Sequence, residues 1–137
     1  MATGTAGTAA RQYHTQQVHY IRKALVFGDA ATTIVIGTIP SGSVINYAMS
    51  GVHVHTVFNA GTNNRLDIGD ATDSGTNNYG TLLSLLTRGF VPLDEGANTS
   101  SKMSADTTIS AYVDVTGAAA TTGAATIVIC YFPDNDG

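Results

Sequence analysis

The side chains best suited to chemistry are three aspartates. Asp67, Asp70 and Asp73 recur at spacing three within VFNAGTNNRLDIGDATDSGTNN, residues 57–78. Carboxylates crowded among glycines and asparagines point to calcium, which accepts carboxylate and backbone oxygens in flexible geometry. The EF-hand arrangement fails here, because it needs ligands at alternate positions, a glycine at the sixth and a glutamate at the twelfth. A looser site built on Asp70, Asp73 and the carbonyls of the following Gly-Thr-Asn-Asn turn stays open chemically. So does plain turn chemistry, since Asn, Asp and Gly tolerate positive φ and bond the nearby backbone. Asp67 belongs elsewhere: it alternates with Leu66 and Ile68 beside Arg65, so it should project outward from a strand.

His53 and His55 form the second constellation. Two apart on a strand, both imidazoles point to one side, and a pair spaced this way can chelate a transition metal. A closed zinc site needs two further ligands, for which His14 and His19 are distant candidates. A sheet face meeting solvent or a neighbouring subunit carries such a pair equally well without metal, and a three-fold axis is where chelation would gain ground.

Other chemistries lack their local signatures. Ser, His and Asp are present, but no G-x-S-x-G elbow joins them. Cys130 lies inside the apolar run TIVICYF, where a thiol behaves as a small hydrophobe. No glycine-rich loop ends in Lys-Ser/Thr, and Asp94-Glu95 reads as a solvated loop after a proline. Tryptophan is absent and aromatics are few, which weakens a stacking platform for sugars or single-stranded nucleic acid. The expectation is a protein without catalysis and without cofactor.

The elements that must position these residues read as strands. Residues 107–115, TTISAYVDV, alternate cleanly: Ile109, Ala111, Val113 and Val115 face one way, Thr108, Ser110, Tyr112 and Asp114 the other. Residues 126–132 are apolar on both faces, as in a central strand covered twice. Val18 to Phe27 and the β-branched run Ile34-Val35-Ile36 predict two earlier strands, each ended by glycine-containing turns. Residues 43–58 predict one long strand, with Ile45, Tyr47 and Met49 on one face before Gly51 and Val52, Val54, Thr56 and Phe58 on one face after it. Asn59 to Asn64 predicts a hairpin turn, and Gly69 to Asn78 a longer loop. Leu82, Leu83, Leu85 and Leu86 suit either a helical turn or a short buried strand. Seven or eight strands at this spacing predict an all-β fold, an antiparallel β-sandwich of jelly-roll-like type. It should form a single domain over 17–137, preceded at 1–16 by an arm, MATGTAGTAARQYHTQ, with no hydrophobic period.

Composition narrows the setting. Of 137 residues 43% are hydrophobic and only 12% charged, against about 25% charged in an ordinary soluble domain. So sparsely charged a surface is poorly protected against association and suits life in an assembly. A net charge of −4 with six scattered basic residues argues against nucleic acid. No run approaches the roughly 20 apolar residues of a membrane span, and residues 1–16 lack a signal peptide's apolar segment, so no membrane partner is expected. With one cysteine, an intrachain disulfide is impossible.

Two segments, IPSGSVINYAMSGVHVHTVFNAGTNNRLDIGD and SADTTISAYVDVTGAAATTGAATIVICYF, resemble small virion proteins of tailed bacteriophages, above all head decoration (cement) proteins. The shared elements are a Pro-x-Gly turn, a long strand ending in Phe-Asn-x-Gly-Thr-x-Asn, a Leu-x-Ile-Gly strand and a final T-x-G-x-A hairpin, over roughly residues 39–132. The resemblance implies a structural subunit on the capsid surface, often a homotrimer, made in the host bacterial cytoplasm and clamping neighbouring major capsid proteins. No catalytic residues carry over. The arm would then order on a neighbour, with Tyr13 and His14 as anchors. A tail, neck or baseplate component, and a carbohydrate- or calcium-binding module using the 67–78 loop, are the alternatives.

Overall fold

The alternating and β-branched runs become strands, and their apolar faces meet in one core. The computed structural model describes residues 18–70, 77–95 and 102–134. Asp73, Tyr13 and His14 lie outside the described residues, as does the arm. The strands among the described residues are β1 (His19–Val26), β2 (Thr33–Ile39), β3 (Val44–Ile45), β4 (Gly51–Thr56), β5 (Asn63–Gly69), β6 (Gly80–Ser84), β7 (Gly89–Pro92), β8 (Thr107–Thr116) and β9 (Ala124–Phe132). Helix among these residues is confined to single 3-10 turns at Phe27–Asp29 and Tyr47–Met49.

Two antiparallel sheets pack as a sandwich. The first runs β1-β9-β4-β7, with β3 also paired to β9, and the second runs β2-β8-β5-β6. Tyr131 of β9 pairs with His19 of β1 on one edge and with Ile45 of β3 on the other, so β3 and β4 lie in line along the same side of β9. The core draws Leu25, Val52, Val54, Ala125, Ile127 and Ile129 from the first sheet. From the second it takes Leu66, Ile68, Ile109, Ala111, Val113 and Val115. The alternation read along 107–115 therefore holds at every inward position.

Three expectations are corrected. The stretch 43–58 is not one continuous strand, because Tyr47–Met49 form a 3-10 turn. Asn46 caps that turn by accepting the Met49 N–H, and buried Ser50 closes it, its hydroxyl donating to the Asn46 carbonyl at 2.7 Å. The same Ser50 Oγ accepts the Cys130 N–H at 2.8 Å, restoring by side chain a ladder bond the turn removes. Met49 consequently leaves the side shared with buried Ile45 and is exposed, whereas Tyr47 still packs against the core. Secondly, Asn59 to Asn64 is not a hairpin turn: β4 belongs to the first sheet and β5 to the second, so this segment arches between sheets. Thirdly, β9 is not covered on both faces by the described residues; Thr126 and Val128 of its outer face are only half-buried.

Within 81–88 no residue is helical: 81–84 belong to β6 and 85–88 are irregular, with Leu83 and Leu85 buried and Leu82 and Leu86 exposed. One glycine is required by close approach: a Cβ on Gly123, whose φ is +149°, would collide with the ring of Phe58 where the arch crosses the core.

Candidate functional site

The aspartates are engaged mainly by the backbone. Asp29 accepts the Val26 N–H at 2.9 Å, Asp94 the Thr81 N–H at 2.8 Å, and Asp106 the Ser41 N–H at 2.9 Å. Asp67 faces outward from β5, as expected, and accepts the Leu82 N–H at 2.6 Å. That bond holds the irregularity where β5 and β6 change register and Leu82 takes a φ of 54°. Arg65 turns away from Asp67 to pair with Asp114 of β8 at 2.7 Å, and Asn63 donates to the same carboxylate. These are the bonds of turn and sheet chemistry.

Asp70 stands at the end of β5. Its carboxylate accepts from the Tyr79 hydroxyl at 3.4 Å, while its N–H donates to the Asn78 side chain at 3.0 Å. Burial first, and the Asp70 carboxylate second, push the Tyr79 hydroxyl far above its ordinary value, so it remains a donor. Burial also raises neighbouring Tyr47, whose ring centroid lies 6.4 Å from that of Tyr79. Among the described residues no three His, Cys, Asp or Glu side chains come together as a metal cluster.

The arch residues are closed by their own asparagines. Asn64 clamps Ala60 twice, accepting its N–H at 2.8 Å and donating to its carbonyl at 2.9 Å. Asn59 accepts the N–H groups of Thr121 and Thr122 and donates to the Thr121 hydroxyl. Between β5 and β6, a shallow groove of about 250 Å³ is lined by Asn63, Arg65, Leu82 and Ser84. It falls short of the roughly 300–1,000 Å³ of small-ligand pockets.

His53 and His55 do share the outer face of the first sheet. His53 lies against Phe90 of β7, ring centroids 4.7 Å apart, and His55 Nε2 is 2.8 Å from the Thr126 hydroxyl. His19 is on the opposite face, against Tyr131, so the structure does not bring it to the pair. Cys130 is buried, its thiol raised by that burial, and it donates weakly to the Met49 carbonyl; it is a poor nucleophile.

The surface around the histidine pair is the feature that sequence reading missed. Register places Tyr20, Arg22 and Val26 of β1, Val128 and Phe132 of β9, and Phe90 of β7 on this one outward face. Tyr20 is 61% exposed and Phe132 44%. No Asp or Glu occurs in any strand of this sheet, whereas β1 carries Arg22 and Lys23. The signal was legible in TIVICYF: a strand apolar on both sides needs cover on both, and the chain's described residues supply it on one.

No family model and no curated protein matches the sequence. Among solved structures the fold is similar to that of a chain in the cyanophage Pam1 capsid asymmetric unit, at a TM-score of 0.58 and 15% identity. That likeness covers 95% of this chain and 94% of that one.

Proposed function

We propose that this chain is a structural protein of a tailed-bacteriophage virion: a decoration, or cement, protein that binds the outer capsid surface and stabilises the shell by bridging major capsid proteins. The observation that carries the reading is the likeness of fold to a chain of a phage capsid asymmetric unit, which spans nearly the whole of both chains. A sandwich of this size, matched over nearly the whole of both chains, suits a small subunit added to a shell. The strand order supports the same picture. With β3 and β4 taken as one interrupted strand, β1-β9-β4-β7 facing β2-β8-β5-β6 supports a jelly-roll-like reading of the sandwich.

The mechanism is mass action. A subunit that binds the assembled lattice and not its dissociated parts adds its binding free energy to the shell's resistance to rupture. No bond is made or broken. Low charge and many Thr, Ala and Gly residues suit a broad interface with few ions to desolvate. A homotrimer presents three copies of that interface together, and the arm at 1–16, with Tyr13 and His14, widens it on a neighbouring subunit.

Quantifying the chain in purified particles tests the assignment. Copies on the order of hundreds per particle, with loss of shell integrity on heating when the chain is stripped away, are expected. Copies in small multiples of three or six would place it in the tail, neck or baseplate instead.

A further inference from the structure

We infer that the outer face of the β1-β9-β4-β7 sheet is the surface that docks, and that its occupant is an apolar, carboxylate-bearing surface of the shell protein. This rests on the function proposed above.

Three observations lead there. The face is apolar and aromatic, with Tyr20, Val26, Phe90 and Phe132 exposed on it. Aromatic residues and arginine surrounded by little other charge are the composition of an interface centre. Its charge is also one-sided. Arg22 sits midway along the edge strand β1, opposite Val128, and no acidic residue lies in any strand of the sheet. The nearest acid in chain order along β9 is Asp134, two residues beyond Phe132 and about 20 Å along the strand direction from Val128.

That asymmetry decides between a second copy and a different chain. In a two-fold stack of this face on itself, each Arg22 would meet strands that carry no carboxylate to pair it, and a guanidinium buried without a counter-charge is unfavourable. A different chain bringing a carboxylate opposite Arg22 removes that penalty. Arg22 alone among apolar and aromatic side chains is too little to hold a phosphate backbone, and Lys23 projects from the other side of β1, so nucleic acid does not fit.

Size agrees. The first sheet has four main strands at about 4.8 Å spacing, and β9 has nine residues at about 3.4 Å, giving a face of at most about 600 Å². A stable pairwise complex buries about 800 Å² per partner, so this face alone makes a modest contact. Repetition over a lattice, or several copies held in one oligomer, turns such a contact into firm attachment.

The test is cosedimentation of the purified full chain with particles assembled without it, with thermal melts run on every variant. The wild-type chain should bind. Arg22→Glu and the pair Tyr20→Ser/Phe90→Ser should each weaken binding about tenfold or more, while Arg22→Lys stays close to wild type. Val35→Ser, an exposed position on the outer face of the second sheet, should bind as wild type. All these side chains lie at the surface, so melts should be unchanged. Retained binding by Arg22→Glu and by the double variant overturns the docking face and leaves the proposed function standing. Failure of the wild-type chain to bind any particle overturns that function and the partner with it. Self-association of the wild-type chain that Arg22→Glu abolishes overturns the partner in favour of a second copy.

Discussion

The two outer faces of the sandwich are built on different rules. On the second sheet, polar groups satisfy one another: Arg65 pairs with Asp114 across β5 and β8, Asn63 joins them, Asp67 holds the Leu82 N–H, and the Thr38 and Thr108 hydroxyls meet at 3.2 Å. On the first sheet, tyrosine, valine and phenylalanine face outward with Arg22, which has no ion-pair partner among the described residues. Among the described residues the second face bonds largely to itself, the buried Ser110 hydroxyl excepted, whereas the first is mainly apolar and aromatic. Val35 and Leu82 are exposed on the second sheet too, but among the described residues only the first sheet sets exposed tyrosine and phenylalanine around an arginine, and that difference marks a direction for assembly.

Breaking the sandwich itself should have the largest effect. Phe58 is 1% exposed on the arch that joins the sheets, and Phe58→Ala should cost about 3–5 kcal/mol in denaturant unfolding. Far-ultraviolet and tyrosine signals should shift together, because both sheets share that core; separate transitions would mean that the faces belong to independent units. Next comes Ser50→Ala, about 1–3 kcal/mol by the same measurement, since it strips the buried Cys130 N–H of its acceptor.

On the second face, Asp67→Ala should cost about 1 kcal/mol by freeing the Leu82 N–H. A double-mutant cycle on Arg65 and Asp114 should return about 0.2–1 kcal/mol, the pair being partly solvated. The alkaline limit is set between the sheets. Tyr79 and Tyr47 hold their protons more tightly folded than unfolded, so their contribution is complete below about pH 10 and declines as pH rises above it. Tyr79→Phe should flatten that decline in melts taken from pH 9 to 12. Smallest of all, Tyr20→Ser and Phe90→Ser should change stability by no more than about 0.5 kcal/mol. A large loss there would show that the apolar face supports the fold and would undo the contrast between the faces.

Much of this was readable in the chain because alternation is local. Ile109 to Val115 declared the inward face of β8, and Val52 and Val54 that of β4. What was hidden depends on distant partners. Asn and Gly at 59–64 serve a hairpin and an arch equally well; pairing to β8 and β9, more than 40 residues on, decides between them. The 3-10 turn at Tyr47–Met49 interrupts an alternating pattern because Asn46 and Ser50 cap it, and Ser50 reaches Cys130, 80 residues away. Of the candidate chemistry, the outward setting of Asp67 was legible. Its role was not, because Leu82 carries no sequence mark of its positive φ.

The pairing of β9 has a consequence for how the molecule comes into being. β9 follows every other strand in chain order, yet β1, β3 and β4 all hydrogen-bond to it. The second sheet contains only strands that precede it. During synthesis, the self-satisfied sheet has all its parts before the docking sheet has its central strand, and His19 must wait for Tyr131. The apolar face therefore exists as a surface only once the rest of the sandwich is available beneath it, which keeps a half-made chain from presenting a finished docking face.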